Sequence, residues 1–219
     1  DDVRGLLASS SFQQLPIIRT SAETGEGIDE LRDRLRNMLE SIPPRHDTNQ
    51  LRLPIDRVFS IKGFGTVLAG TLLSGSLETG AKLQLLPSLS EVRVRGLQSH
   101  DSDSDVLKIG NRAAVNVVGV DAGEIHRGMA LIEPETFPPV EIINAQLSLL
   151  QSAPSKLKNN QRIRLHIHTA EVFARVLLPF QSALNPGEEA FIQLKLEEPL
   201  HAAFQDRFII RQYSPQNTI

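Results

Sequence analysis

Two glycine-containing segments could bring the backbone close to a phosphate or a nucleotide base. The first is SAETGEGI at residues 21–28, and the second is KGFGT at residues 62–66. Glycine lets backbone N–H groups approach an anion, as phosphate-binding loops require. However, the chain contains no G-x-x-x-x-G-K-[ST] phosphate loop. KGFGT precedes a β-branched stretch rather than a helix, so we interpret Gly63 and Gly65 as the turn or bulge of a β-hairpin.

Two histidines have a spacing that metal sites use. His166 and His168 are two positions apart in QRIRLHIHT, so on a regular strand both side chains would point to one face. No carboxylate or thiolate accompanies them at ligand spacing, and the chain has no cysteine. The other histidines are isolated in the sequence: His46, His100, His126 and His201. Because a nucleophile–base motif such as G-x-S-x-G is also missing, we predict no metal site and no catalytic residue.

Charges of both signs meet in IDRVF, where Asp56 is followed by Arg57. Neighbours on a regular strand point to opposite faces, so these side chains share a site only where the strand is distorted. Pro54, two residues before Asp56, favours such a distortion. From the residues alone, the simplest interpretation is an ordinary rim ion pair of Asp56 with an arginine, worth about 0–1 kcal/mol when exposed.

Two short segments concentrate positive charge. They contain Arg93 and Arg95 in VRVRG, and Lys156, Lys158, Arg162 and Arg164 in KLKNNQRIR. Either these side chains contact a polyanion or they are the solvated faces of strands and loops, and both interpretations remain open. The net charge of −3 argues against a protein that coats nucleic acid indiscriminately.

Composition is that of a folded protein. The chain has 219 residues, of which 40% are hydrophobic and 22% charged, enough for one or two domains. No apolar run approaches the ~20 residues of a membrane span, so we expect no membrane partner. The start, DDVRGLLASS, lacks the pattern of a signal peptide, and the absence of cysteine fits a cytoplasmic location. Because the first residue is Asp, we expect the chain to begin inside a longer protein.

The first part of the chain has an α/β pattern. Apolar residues recur at helical spacing from Ile28 to Ile42, and Pro43-Pro44 end the predicted helix. LPIIRTSA, at residues 15–22, is predicted to be a short apolar strand that runs into a loop. One strand and one helix cannot form a core, so residues 1–45 are interpreted as the remnant of an α/β domain.

From Leu51 onward, short β-branched runs alternate with glycine-containing turns at intervals near ten residues, which is typical of antiparallel barrels or sandwiches. Six such runs precede Pro138-Pro139 and five follow them. We therefore predict a mainly β protein with two consecutive antiparallel β-barrels, at residues 46–137 and 138–219, after the α/β remnant. Period-2 alternation predicts that Arg93 and Arg95 face solvent.

Several of these segments resemble a known family. LPIDRVFSIKGFGTVLAGTLLSG (53–75) is similar to the opening hairpin of domain 2 in translational GTPases, and EIHRGMALIEP (124–134) to its closing segment. LHIHTAEVFARV and LNPGEEAFIQLKLEEPLHAAFQDRFIIRQYSPQNTI resemble the third domain of selenocysteine-specific elongation factors. The resemblance covers nearly the whole chain. It implies that a Gly-rich final strand follows SPQNTI, so we expect the second barrel to lack its last strand.

The same resemblance explains a base-binding motif without a phosphate loop. SAETGEGI resembles the last guanine-binding motif of a GTPase domain, in which the backbone N–H groups of Ser21 and Ala22 would meet the guanine carbonyl. The phosphate loop and magnesium ligands would lie upstream of Asp1. We therefore expect GTP with Mg²⁺ as cofactor of the full-length protein only, and an inactive fragment.

The resemblance also implies a site and partners. The barrel surface around Asp56, Arg57, Phe59 and Arg112 would receive the aminoacylated 3′ end of tRNA, with Asp56, Arg57 and Arg112 sensing selenocysteine. The six cations of the two basic segments would be candidate tRNA contacts. The implied partners are selenocysteinyl-tRNA, the ribosome, and an mRNA hairpin bound through C-terminal domains that nothing in this sequence matches. A general elongation factor, or a protein-interaction double barrel without RNA contact, remains an alternative.

Overall fold

The computed structural model describes residues 2–8, 12–43, 47–63, 65–214 and 217–219. Contacts divide the chain into two compact units, residues 1–46 and 47–219. Pro44, His46 and the predicted boundary at residues 45–46 lie outside the described residues, as does Phe64 of KGFGT. No helix in the described ranges is long and apolar enough to cross a membrane.

The first unit contains α1 (Asp2–Leu7) and α2 (Ile28–Ser41). The predicted helix is thus confirmed as α2, which ends before Pro43. Gly27 precedes it with φ 72°, and a Cβ at this residue would lie 2.0 Å from the Arg19 carbonyl oxygen, so only glycine fits. The predicted strand at residues 15–22 is wrong, because the described part of this unit offers no strand for it to pair with.

The second unit begins with a closed barrel. Its strands are β1 (Arg52–Ile61), β2 (Gly65–Thr71), β3 (Ser76–Glu78), β4 (Lys82–Leu86), β5 (Ser90–Ser99), β6 (Ser102–Ser104), β7 (Val106–Lys108), β8 (Arg112–Val118) and β9 (Ala130–Ile132). Six of them close in the order β1-β2-β8-β5-β4-β9 and coincide with the six predicted runs. β6 extends β5 as a hairpin, and β3 pairs with β7.

Alternation along the strands builds the core of this barrel. On β5, Val92 and Val94 are buried while Arg93 and Arg95 are exposed, as predicted. Gly63 and Gly65 have φ of 85° and 91° beside the turn that joins β1 to β2, which confirms the hairpin interpretation of KGFGT. The hydrophobic core of this barrel consists mainly of aliphatic side chains, which include Leu51, Leu53, Ile55, Leu68, Leu72, Leu77, Leu85, Val115, Val117 and Leu131.

A curled half-barrel follows. Its strands are β10 (Val140–Ser148), β11 (Leu157–Lys158), β12 (Arg162–Ile167), β13 (Ala170–Leu177), β14 (Ala183–Leu184), β15 (Glu189–Leu200) and β16 (Phe208–Gln212). The main sheet has the order β10-β15-β13-β12-β16, and its five strands coincide with the five predicted runs. Within residues 140–214 and 217–219, β10 and β16 are edge strands that do not pair with each other. That a further strand completes this barrel stays a prediction.

The two barrels are joined by a largely buried cluster of four polar side chains and one aromatic ring, here called the seam cluster: Arg52, His168, His201, Asp206 and Phe137. Arg52 Nη2 donates to Asp206 Oδ2 at 2.5 Å, and Arg52 Nε donates to His201 Nε2 at 2.8 Å. The side chains of Arg52 and Asp206 are only 10% and 9% exposed. The Arg52 guanidinium also lies 5.6 Å from the centre of the Phe137 ring.

Asp206 Oδ2 accepts two more hydrogen bonds, from His168 Nε2 at 2.8 Å and from the Ala203 N–H at 2.7 Å. Burial alone would raise the pKa of Asp206, but the hydrogen bonds from His168, Arg52 and Ala203 outweigh it and hold the pKa well below its ordinary value. Arg52 Nη2 and His168 Nε2 lie 3.2 Å apart, and both donate to the same carboxylate.

The structure adds one histidine contact that the sequence did not show, and it corrects one expectation. His201, isolated in the sequence, contacts Arg52, which is 149 positions away in the chain. His166 and His168 do not share a strand face, because β12 ends at Ile167 and His168 turns with φ 49°. In the described part of the chain, no group of three or more His, Asp or Glu side chains has the arrangement of a metal site.

The seam cluster predicts an acid-sensitive stability. Burial, followed by the charge of Arg52, lowers the pKa of His201 to about 4, from an ordinary 6.5. Between pH 6.5 and 4 the unfolded chain therefore binds more protons than the native one, so the free energy of unfolding falls as the pH is lowered, by up to about 3 kcal/mol from this group. His201→Gln keeps an acceptor for Arg52 without titrating, and denaturant unfolding should show a shallower pH slope for it.

His166, whose pKa burial also lowers, contributes a slope of the same sign in both proteins and cancels in the difference. The control is His100→Gln, in an exposed hairpin. Equal slopes for wild type and His201→Gln, or the same flattening in His100→Gln, would contradict the prediction.

Candidate functional site

β1 is bulged at Asp56. Across the β1–β2 pair, Ile55 lies opposite Gly70 and Arg57 opposite Ala69, so Asp56 is an extra residue without an opposite partner. The distortion required for Asp56 and Arg57 to share a side is thus present, and Asp56 Oδ1 lies 4.0 Å from Arg57 Nε. Both charged groups of IDRVF therefore belong to one cluster.

Gly70 makes room for this bulge. A Cβ at Gly70 would lie 2.3 Å from the Pro54 carbonyl oxygen and 2.6 Å from Leu53 Cδ2. The backbone of β2 therefore approaches β1 more closely than any side chain would allow.

Arg112, the first residue of β8, reaches Asp56 across β2, the strand that lies between β1 and β8. Its guanidinium grips the carboxylate at two points: Nη2 donates to Oδ1 at 2.7 Å, and Nη1 donates to Oδ2. The hydrogen bond from Arg112 lowers the pKa of Asp56 against the opposing effect of burial, and the positive charges of Arg112 and Arg57 lower it further. The same pair raises the pKa of Arg112.

Exposure differs sharply among these charged side chains. Asp56 is 19% exposed, Arg112 43% and Arg57 71%. Both guanidinium groups lie within 4.0 Å of one carboxylate oxygen, well inside the ~10 Å Debye length at 0.1 M salt. One carboxylate and two guanidinium groups leave one net positive charge, carried mainly by the exposed Arg57. Phe59, two residues further on β1, is 45% exposed.

Two adjoining cavities lie on this barrel, and Arg112 of the cluster lines the smaller of them. One, of about 250 Å³, is lined by Arg112, Ser99, His100 and Asp101. The other, of about 400 Å³, has apolar walls from Ile61, Val67 and Leu97 together with the polar side chains of Arg95, Asp103 and Asn116. Gln98 and Ala114 line both cavities, so they share a wall. Each cavity has one arginine and one aspartate in its lining, Arg112 with Asp101 in the smaller and Arg95 with Asp103 in the larger.

The predicted guanine-binding loop is a compact turn in the first unit. The Ser21 N–H donates to the Glu26 carbonyl at 3.0 Å, and the Thr24 N–H to Ser21 Oγ at 3.2 Å. The Gly25 N–H donates to the Ser21 carbonyl at 2.9 Å. The Ser21 N–H is thus engaged within the loop, and contacts of Ser21 and Ala22 with a base stay a prediction.

The second basic segment divides into two parts. Lys156 and Lys158 are exposed and border a shallow surface depression. Arg162 and Arg164 are instead paired with carboxylates, Arg162 Nη2 with Glu197 and Arg164 Nη1 with Glu171, each at 2.5 Å.

These arginines also stack on aromatic rings that the sequence analysis had not singled out. The guanidinium carbons of Arg162 and Arg164 lie 4.2 and 4.8 Å from the centre of the Phe173 ring, and that of Arg162 lies 4.9 Å from Tyr213. Arg162, Arg164, Phe173 and Tyr213 are here called the basic–aromatic face. Only the pairing of β12 with β13 and β16 brings them together, so spacing alone gave no signal.

Comparison with known proteins decides the family. The family "Selenocysteine-specific elongation factor, beta-barrel domain" matches residues 144–219, and "Elongation factor Tu domain 2" matches residues 65–132. The selenocysteine-specific elongation factor of Desulfomicrobium baculatum is 35% identical over 219 residues, which cover 100% of this chain and 34% of that protein. The chain belongs to the selenocysteine-specific elongation factors.

Solved structures of this family have the same fold as this chain. The crystal structure of a bacterial selenocysteine-specific elongation factor EF-Sec matches with a TM-score of 0.83 and 25% identity, over 100% of this chain and 35% of that one. Elongation factor SelB of Methanococcus maripaludis in complex with the GTP analogue GPPNHP matches with a TM-score of 0.80 and 27% identity, over 96% of this chain and 50% of that one. The chain thus spans a third to a half of the relatives it matches.

The close approach at Gly70 gives a stability prediction. Gly70→Ala should destabilise the barrel by roughly 1–3 kcal/mol, because the new Cβ meets backbone that cannot move without disturbing the bulge. Gly96→Ala is the matched control, a strand glycine of the same barrel whose Cβ would meet nothing within 4 Å. Urea unfolding measures both, and equal stabilities for the two variants would contradict the role of Gly70.

The Asp56–Arg112 pair gives a titration prediction. In a carboxyl-carbon NMR titration, Asp56 should titrate below the ordinary value of 3.8 and move upward in Arg112→Ala, which removes the hydrogen bond. Arg93→Ala, an exposed arginine of the same barrel, should leave the midpoint unchanged. An upward shift of the same size in both variants would mean that general charge, and not this pair, sets the pKa.

Proposed function

We propose that this chain is the tRNA-binding body of a translation factor that delivers selenocysteinyl-tRNA to the ribosome in a GTP-dependent manner. The observation that carries the proposal is the cluster of Asp56, Arg57 and Arg112, in which Arg112 lines one of two adjoining cavities. The two guanidinium groups suit an anionic side chain, and the apolar walls of the larger cavity suit the flat face of a terminal base. Membership of the selenocysteine-specific family supports both assignments.

Charge is the property that separates selenocysteine from serine, its precursor on the same tRNA. A selenol is more acidic than a thiol, so selenocysteine is largely anionic near neutral pH while serine is neutral. Size separates them poorly, because a cavity that admits selenium also admits oxygen. In the proposed site, Arg57 and Arg112 donate charge-assisted hydrogen bonds to the selenolate.

Asp56 would act by orienting Arg112. Its two-point contact fixes the plane of that guanidinium, so one edge of the cation is held while the rest stays available. The alternative role, contact with the α-amino group of the aminoacyl end, would require Asp56 to release part of this contact. The two-point geometry favours the orienting role.

The remaining partners follow from the family. In the full-length protein GTP with Mg²⁺ would be bound by a GTPase domain to which the Ser21–Ala22 loop contributes. The cations Arg93, Arg95, Lys156, Lys158, Arg162 and Arg164 would contact the tRNA backbone. An mRNA hairpin would be recognised by parts of the relatives that this chain does not match. Such a factor would act in the cytoplasm.

A general elongation factor is the second candidate, supported by the match of residues 65–132 to domain 2 of elongation factor Tu. A factor that carries every amino acid gains nothing from a net positive charge at the aminoacyl position. The presence of both Arg57 and Arg112 favours the selective function.

The proposed selection of selenocysteine by its charge, here called the charge filter, is tested by aminoacyl-tRNA binding to the GTP-bound full-length protein. Arg57→Ala and Arg112→Ala should each weaken the binding of selenocysteinyl-tRNA by about 1.5–3 kcal/mol, roughly 10- to 100-fold, because only the selenolate forms charge-assisted hydrogen bonds. The binding of seryl-tRNA should weaken far less. Lys82→Ala, an exposed cation on β4, is the control and should change neither affinity. Equal losses for both tRNAs would make the arginines general tRNA contacts and remove the filter.

A further inference from the structure

The seam cluster is connected to the Asp56 bulge through one short stretch of β1. Arg52 lies four positions before Asp56. Between them, the Ile55 N–H donates to the Met129 carbonyl at 2.8 Å, and the Gly128 N–H donates to the Ile55 carbonyl at 3.1 Å. The strand segment that leads into the bulge is therefore tied to the segment around residues 127–129.

Both of these segments touch the second barrel. Arg52 is held by Asp206, His168 and His201, and Arg127 Nε donates to the Thr169 carbonyl at 3.3 Å. The backbone of Gly128 packs against the β12–β13 turn so tightly that a Cβ there would lie 3.1 Å from the Cα of Ala170. The turn at 168–170 and the loop at 201–206 thus contact the two segments of the first barrel that lead into the bulge.

Because the contact between the barrels includes a buried ion pair, it favours one relative position of the two barrels. A buried ion pair contributes little net stability when intact, but moving one partner away leaves an unpaired charge in a dry environment, which is costly. Sliding or rotating one barrel against the other would separate Arg52 from Asp206. The cluster therefore favours a single relative position of the barrels rather than a continuum.

We propose that Arg52 is a positioning residue that fixes the spacing between the Asp56–Arg112 pair on the first barrel and the basic–aromatic face on the second. This proposal rests on the proposed function, since a tRNA that contacts both barrels is what a fixed spacing serves. Two contact sites held at the right separation bind such a ligand together, because the first contact places the second at high effective concentration. A ligand that touches only the first barrel gains nothing from the spacing.

The test uses the neutral double variant Arg52→Met/Asp206→Asn, which removes both buried charges and keeps an acceptor for the Ala203 N–H. Spin labels on Ser76→Cys and Ser182→Cys, exposed positions on the two barrels, report their separation by double electron–electron resonance. The chain has no native cysteine, so both labels are unique. We expect a narrow distance distribution with the native pair and a broader one in the variant.

Binding is then measured on the full-length protein with two ligands, complete selenocysteinyl-tRNA and a short selenocysteinylated oligonucleotide of its 3′ end. The double variant should lose about tenfold or more in affinity for the complete tRNA and less than about twofold for the oligonucleotide. Glu188→Gln, which neutralises an exposed charge in a loop of the second barrel, should change neither. Circular dichroism checks that each variant folds. If the double variant does not fold, Arg52→Lys is used instead, because it keeps the charge but loses the His201 contact. Arg52→Lys should show the same broadening of the distance distribution and the same preferential loss of affinity for the complete tRNA, each to a smaller extent.

An unchanged distance distribution, or equal losses for both ligands, would overturn the positioning role. If wild type binds neither RNA, the proposed function fails and so does the coupling to tRNA, while the distance measurement still decides whether Arg52 fixes the barrels.

Discussion

The carboxylate of Asp206 is a buried charge, and the cation that compensates it comes from the other barrel. An ionised group removed from water is tolerated only when it is paired and hydrogen-bonded. Asp206 meets this requirement with donors from Arg52, His168 and Ala203, two of them from its own barrel and one from across the seam. The native state of the second barrel is therefore complete only when the first barrel is in place, which agrees with residues 47–219 forming one compact unit.

The second important carboxylate, Asp56, is handled in the opposite way. Asp56 binds Arg112 at two points, but Arg112 stays 43% exposed and Arg57 71%. Exposed ion pairs contribute only about 0–1 kcal/mol, so they can rearrange around a ligand at little cost. The same strand, β1, thus begins with a buried ion pair that fixes geometry and continues with an open one that is free to exchange partners.

Sequence pattern predicted the elements that local chemistry determines. Alternation gave the six closed-barrel strands and the outward direction of Arg93 and Arg95, because one strand face is buried. The bend at Asp56 followed from the same rule, since two neighbouring charges cannot otherwise share a side. Features that depend on long-range pairing were missed: His201 meets Arg52 across 149 positions, and Tyr213 meets Phe173 across a sheet. Residues 15–22 have the composition of a strand but no described partner to pair with.

The geometry also sets a limit on the proposed charge filter. With serine bound, Arg112 can stay with Asp56 and Arg57 can stay hydrated, so neither cation is left unpaired in a dry site. Discrimination then comes from what the selenolate gains rather than from what serine loses. Asp56 reduces that gain by competing for Arg112, but it keeps the guanidinium oriented in the empty site. Arg57, exposed and only 4.0 Å from the carboxylate, is the cation with the most to gain from a new anion. In the proposed function it is therefore the principal source of selectivity, with Arg112 as the oriented partner.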